Sequence, residues 1–279
     1  EAFCRWTPRG FEEIPGVHFD PDDIFAGTIQ LWCLRTIAVT ALSKGWKTTH
    51  LDFKRAFSHA PIDRPVHVLM PPGYHKYDKD GHELCLRLRK SSEGLKQSAA
   101  QWEKVLTNFL KSEGLTRCTK EPRLWRSPVL ANGERAVVAV YVDDMYITSP
   151  DDEWVEKFRS KLHVLAPHKS LGELSYALGC EFDFDDSRNS FTISCKRKIA
   201  ELLRRSGMED AKPQTTPLRP GSKLAQDLLT EVITDRDQIN EYRSAVGSLL
   251  YIMRAARPDL CYSAWYLACG MTTPTVALL

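Results

Sequence analysis

The chain has 279 residues, 43% hydrophobic and 27% charged, with a formal net charge of +2. Such a composition excludes a disordered chain or a small stapled scaffold and leaves material for two domains or one large one. The near-neutral balance neither demands nor excludes a nucleic-acid partner, so any basic surface must be local.

From Gly27 to Lys44, Ile29, Trp32, Leu34, Ile37 and Ala41 recur at mostly helical spacing, which predicts a helix under a sheet that ends before Gly45. "WKTTHLDF" then predicts a short strand with Asp52 near its end. "PVHVLMPPGY" places Val66, Val68 and Met70 on one face, and "ELCLRLRK" places Leu84, Leu86 and Leu88 opposite Arg87 and Arg89. These two read as antiparallel strands with one wet, basic side. Over 98–112, Trp102, Val105, Leu106, Phe109 and Leu110 follow the i, i+3, i+4, i+7 pattern of a helix that Gly114 closes.

"AVVAVYVDDMYITSP" (136–150) predicts a hairpin of β-branched and aromatic residues that turns at Asp143 and Asp144. A helix follows, with Ser149 as its cap, Pro150 at its first position, Asp152 at the capping-box position, and Trp154, Val155, Phe158 and Leu162 as its buried stripe. A second hairpin is expected over 176–195. A helix over 196–207 and helices near 238–255 and 259–270 complete an α+β pattern with a helical tail.

The eight cysteines show no CxxC spacing, which points to reduced thiols in a cytosolic or nuclear protein rather than a zinc site. No run approaches the roughly 18 apolar residues of a membrane span, and no charged-then-apolar leader opens the chain. Beginning at Glu1, the chain reads as a piece of a longer polyprotein. No GxSxG, GxGxxG, P-loop or HExxH supports a hydrolase or a dinucleotide enzyme.

Asp52, Asp143 and Asp144 each fall at the end or turn of a predicted strand, where an antiparallel sheet could gather them. At about 4 Å, each pair would repel by roughly 4 kcal/mol at an effective dielectric of 20. Protonation or a divalent cation must relieve that repulsion, and hard oxygen donors suit Mg²⁺. Turn chemistry alone is the rival account of the Asp pair, but hairpins of this kind favour a glycine that is missing here.

"YVDD" at 141–144, with "LDFKRAF" at 51–57, resembles the reverse transcriptases of LTR retrotransposons, specifically the copia type. The blocks "RGFEEIPGVHFD", "MPPGY", "EGLKQSAAQW", "LGELSYALG", "KRKIAELLRRSGM" and "YRSAVGSLLYIMRAARPDL" fall in that family's order and at about its spacing. The resemblance implies an α+β right-hand polymerase with an antiparallel-sheet palm on a ferredoxin-like core. Fingers and palm would span residues 1–185, and a helical thumb-like region with the start of a connection would span 186–279. The implied activity is RNA- and DNA-directed DNA synthesis by two-metal phosphoryl transfer, in the service of retrotransposition.

Carried over residue by residue, the resemblance makes Asp52, Asp143 and Asp144 catalytic, with two Mg²⁺ ions (or Mn²⁺) held by them and by the carbonyl of Phe53. Phe57 matches an aromatic gate against the ribose 2′-hydroxyl. Lys96 and Gln97 match a loop beside the incoming nucleotide, and Arg5 and Arg9 match triphosphate-holding positions. Tyr141, Val142, Leu178 and Gly179 would position the primer end. Arg188, Lys196, Arg197, Lys198, Arg204, Arg205, Lys212 and Arg219 would grip phosphates without sequence choice.

The implied partners are primer-template (RNA/DNA hybrid or DNA duplex), deoxynucleoside triphosphates, and RNase H and integrase segments elsewhere in a Pol polyprotein. No membrane is involved, and the setting is cytoplasmic, within virus-like particles. The chain departs from the family pattern at Ser92 and Glu93, where a Leu-Tyr pair is usual. It also departs at Ser58, His59 and Ala60, which replace Leu-Asn-Gly, and at Arg64 and Pro65, which replace an acidic pair. A decayed copy that only binds nucleic acid is the rival reading.

Overall fold

The computed structural model describes residues 6–185, 187, 189–218 and 220–278. They divide into two compact units, up to Leu174 and from Ser175. In the first, α1 (Leu31–Lys44) buries Cys33, Leu34, Ile37, Ala38 and Ala41. Trp32, which the spacing predicts on that stripe, is 57% exposed. It stands two residues from Leu34 and so on the far side of a helix with 3.6 residues per turn. Gly45 ends α1 in the left-handed region at φ +67°, a conformation that suits a residue without a side chain.

β1 (Lys47–Phe53), β2 (His67–Leu69), β3 (Cys85–Arg87) and α2 (Ser98–Ser112) follow. Next come β4 (Thr116–Arg117), β5 (Leu124–Arg126), β6 (Val137–Tyr141), β7 (Asp144–Ser149), α3 (Asp152–Leu165) and β8 (His168–Glu173). Six strands form one sheet in the order β4-β5-β6-β7-β1-β8, and every neighbouring pair is antiparallel. Within it β1, α2, β6, β7, α3 and β8 make a split β-α-β-β-α-β run, with β1 lying between β7 and β8.

The period-2 alternation of β1 and β7 gives the sheet two different faces. Leu51, Phe53, Met145 and Ile147 join Trp102, Leu106 and Leu110 of α2 and Val155, Phe158 and Leu162 of α3 in one apolar core. The buried residues of α1 stand outside that core, and α1 meets β1 and β7, so it covers the opposite face. That second face is polar: Thr48 and Thr148 hydroxyls share a 2.8 Å hydrogen bond, and the rings of His50 and Tyr146 stack at 4.6 Å.

Two local expectations are corrected. β2 and β3 form a separate two-stranded sheet; at and beside β2, Val66, Val68 and Met70 are buried or half-buried as expected, but Leu84 and Leu86 are 43% and 38% exposed, so the leucine stripe is only partly covered. α3 is capped by Asp151, whose carboxylate accepts from Trp154 N at 2.9 Å. Ser149 is not the cap because strand pairing with Lys47 keeps it in β7; its hydroxyl instead accepts from Asp151 N at 3.1 Å.

The second unit begins with β9 (Tyr176–Ala177), β10 (Cys180–Phe184) and β11 (Phe191–Ser194), three strands where a single hairpin is expected. Leu178 and Gly179 turn between β9 and β10 with φ of +48° and +76°, the double left-handed signature of a type I′ turn. α4 (Lys196–Arg205) follows, and the Glu181 carboxylate accepts from Lys196 N and Arg197 N at its start. α5 (Leu224–Asp227), α6 (Arg236–Ala255) and α7 (Cys261–Ala268) complete the seven α-helices of the described residues. Tyr242, Val246, Tyr266 and Leu278 form the centre of their small core.

Candidate active site

Asp52 and Asp144 are directly opposed in the antiparallel pairing of β1 with β7. Opposed residues share a face, so both carboxylates belong to the polar side of the sheet. Tyr141 pairs with Asp144 across the hairpin, which leaves a two-residue turn of Val142 and Asp143. The expected turn thus lies one residue earlier than the Asp pair: Asp143 is in the turn, while Asp144 opens β7. The cause is pairing, since Asp144 has a partner on both sides, Tyr141 and Asp52.

Val142 has φ +52°, which is rare for a β-branched residue. The turn is held from the protein side, where Trp102 Nε1 donates to Val142 O at 2.9 Å and Phe53 N donates to Asp143 O at 2.8 Å. Asp143 is exposed at the tip while the protein crowds one side of its carboxyl. Lost hydration there, and then the charges of Asp144, Asp52 and Glu93, push its pKa above the ordinary aspartate value, against a backbone hydrogen bond that lowers it.

His50 Nε2 lies 2.7 Å from Asp144 Oδ1. His50 was not singled out by sequence, although its position two residues before Asp52 places it on the same strand face. The Tyr146 hydroxyl is buried beneath it without a hydrogen-bond partner among the described residues, and burial followed by the charge of Asp144 pushes its pKa up.

The three aspartates do not converge on a single point. Among the described residues, the only three potential ligands with atoms all within 4.8 Å of one another are Asp78, Asp80 and His82, exposed beyond β2. Of the three aspartates, Asp144 is engaged by His50.

Phe53 closes β1 with its ring in the core, edge-on to Trp102. Phe57 lies in a 3-10 turn (Ala56–His59), half-buried against the same core. Gln97 is buried, its amide donating to His18 O at 3.4 Å. Lys96 is exposed, its backbone N–H donating to Glu13 Oε2 at 2.8 Å. Arg9 is exposed and pairs with Glu12 at 3.2 Å. The segment bearing Arg9 lies on the loop bearing Lys96 so closely that a Cβ on Gly94 would stand 2.3 Å from Pro8 O. Arg5 lies outside the described residues, as do Arg188 and Arg219.

Leu178 and Gly179 belong to the second unit, where the Tyr251 hydroxyl donates to Leu178 O and a Cβ on Gly179 would meet that hydroxyl at 2.5 Å. Several predicted phosphate-gripping cations have acidic neighbours: Lys196 lies 3.9 Å from Asp183, Arg197 3.6 Å from Glu181 and Lys198 3.2 Å from Glu201.

An antiparallel sheet that opposes one carboxylate to another beside an acidic hairpin is compatible with a polymerase domain, and the comparisons supply the class. Residues 3–220 match the family described as reverse transcriptase (RNA-dependent DNA polymerase). The chain belongs to that family and is of its copia type. It is 33% identical over 273 residues to the retrovirus-related Pol polyprotein from transposon RE1 of Arabidopsis thaliana, covering 98% of this chain and 18% of the relative. It is 30% identical over 262 residues to that from transposon TNT 1-94 of Nicotiana tabacum, covering 93% and 19%. A Ty5-1 transposon protein of Saccharomyces cerevisiae is 28% identical over 213 residues, covering 76% and 66%. The chain therefore spans under a fifth of the length of the two plant relatives. Among the described residues no helix is long and apolar enough to cross a membrane.

Proposed function

We propose that the chain extends a primer 3′ end with deoxynucleotides on an RNA template, and on a DNA template, as the polymerase segment of a retrotransposon Pol polyprotein. The observation that carries this is the Asp52–Asp144 register pair with Asp143 at the adjoining turn, in a chain of the reverse transcriptase family. The six-stranded sheet with α1, α2 and α3 would be the palm on a ferredoxin-like core. The β2–β3 hairpin and the N-terminal segment would be fingers, within the expected span 1–185. The helices after 186 would be the thumb-like region.

The donor set fits a divalent cation in kind, because Asp52, Asp143 and Asp144 offer hard carboxylate oxygens on neighbouring strand and turn positions, and lost hydration, then the charges of Asp144, Asp52 and Glu93, disfavour the charged form of Asp143. Asp52 and Asp143, with the Phe53 carbonyl, would hold Mg²⁺ or Mn²⁺ directly, and Asp144 would share the charge while engaged by His50. Two such ions supply the activation of the primer hydroxyl and the neutralisation of the leaving pyrophosphate. Phe57 would exclude the ribose 2′-hydroxyl, and Arg9 and Lys96 would hold the triphosphate. Leu178 and Gly179 would steady the primer, and the basic residues of α4 would bind backbone phosphates. RNase H and integrase activities would come from other segments of the polyprotein, in the cytoplasm within virus-like particles.

Primer extension by the chain on a poly(rA)/oligo(dT) substrate with Mg²⁺ tests the reading. Incorporation by the parent and background levels with Asp143→Asn are expected; equal incorporation by the two would overturn it.

A further inference from the structure

Val142 is the weak point of the hairpin by backbone chemistry. A β-branched side chain at φ +52° crowds its own backbone, and nothing in the sequence offers the glycine that would remove the conflict. Such a conformation persists only when its surroundings impose it. Here one donor meets the turn from the apolar core: the indole N–H of Trp102, 2.9 Å from Val142 O. Trp102 is 2% exposed, so the donor end of this part-buried bond lies out of water. Its ring also supports the edge-on ring of Phe53 at 5.2 Å, and the N–H of Phe53 holds the next carbonyl of the turn, that of Asp143. Trp102 therefore bonds to the turn directly and packs against the residue that holds the turn's next carbonyl.

We propose that Trp102 is a positioning residue of the acidic hairpin: its indole N–H keeps Val142 in the left-handed region and so aims Asp143. This rests on the polymerase reading for its consequence in catalysis, but not for its consequence in backbone structure. Trp102→Phe leaves an aromatic ring in the core and removes the donor. Val142→Gly removes the conflict that the donor opposes. The two changes should therefore be coupled, whereas a general packing defect at Trp102 would not be repaired by altering the turn.

The test compares the parent, Trp102→Phe, Val142→Gly and the double variant by two measurements. One is the single-turnover rate of dTTP addition to oligo(dT) on poly(rA). The other is hydrogen exchange at the Phe53 amide. Loss of this part-buried hydrogen bond should slow addition and speed exchange by roughly 5- to 100-fold in Trp102→Phe, with the apparent Kd for dTTP changed by less than about twofold. In the Val142→Gly background, both effects of Trp102→Phe should shrink to about twofold or less. Unchanged exchange in Trp102→Phe, or an equal loss in the glycine background, would overturn the proposal. If the parent adds no nucleotide, the polymerase reading fails, and exchange at Phe53 alone decides the role of Trp102. Should Trp102→Phe not fold, benzothienylalanine at position 102 keeps the indole's shape without its N–H and carries the same expectation.

Discussion

Replacing Gly10 with alanine tests how the N-terminal segment is seated on the rest of the first unit. Gly10 begins a 3-10 turn (Gly10–Glu12) and has no left-handed φ, so its backbone would accept alanine. The available space would not. A Cβ there would stand 1.8 Å from the carbonyl oxygen of Gly94, a backbone atom that cannot rotate away. Real Cβ contacts begin near 3.0 Å, so the two segments must part by more than an ångström. Overpacking of this kind costs about 1–3 kcal/mol, and for a unit of this size each kcal/mol lowers the melting temperature by roughly 2–4 °C. The separation would also carry Arg9 away from Lys96 and loosen the bond from Lys96 N to Glu13, so the KM for the nucleotide should rise. Gly16→Ala is the comparison, because Gly16 has open space but a φ of +79° and pays only the left-handed penalty of about 1–2 kcal/mol. Differential scanning fluorimetry and steady-state primer extension read both effects. If Gly10→Ala melts with the parent and keeps its KM, the segment is not seated as described.

Asp143→Asn should raise thermal stability at neutral pH while abolishing extension. The folded-state pKa of Asp143 is raised, so its ionisation lowers stability as pH climbs from the unfolded value through the folded one, and the variant's advantage should fade as pH falls well below the ordinary aspartate value, where Asp143 is neutral in both states. Burial, then the carboxylate of Glu121 and its hydrogen bond, push the Cys33 thiol up to about 12, whereas N–H groups of Glu121 and Lys120 lower that of Cys118. Iodoacetamide at about pH 8 should therefore label Cys118 well before Cys33, as read by peptide mass spectrometry. His50→Ala should destabilise the first unit by about 2–3 kcal/mol, through the lost bond to Asp144 and the lost stack on Tyr146, with His50→Gln recovering part of it in urea melts.

Elements with a strong period were legible. The stripe Trp102, Leu106 and Leu110 and the run Lys47–Phe53 announce α2 and β1 because burial on one face leaves a repeating mark in the chain. What escaped was set by partners distant in sequence. Ser149 is a good cap residue locally, but its pairing with Lys47, far upstream, keeps it in a strand. Leu84 and Leu86 alternate as core residues do, yet at and beside a three-residue strand of a two-stranded sheet both stay exposed. In the site, Asp52, Asp143 and Asp144 could be read because acids in an apolar run conflict with burial. His50 and Trp102 could not, because a histidine in a strand and a tryptophan on an amphipathic helix conflict with nothing, and their roles arise only when the hairpin folds onto them.

Two adjacent aspartates in a buried hairpin make sense once their surroundings are separated. Asp144 is a strand residue, opposed to Asp52 and held by His50 on a face that also buries Thr48, Thr148 and Tyr146. Asp143 is a turn residue, open to solvent and fixed through its backbone rather than its side chain. Neighbouring positions in a strand face opposite ways, so two consecutive acids could not serve one site if both lay within β7. Ending the pairing at Tyr141 and Asp144 resolves this: the strained Val142 turn frees Asp143 from the pleat, and the N–H groups of Trp102 and Phe53 then hold the freed backbone in place. The left-handed valine is thus the means by which one residue of an acidic pair leaves the sheet while the other remains paired within it.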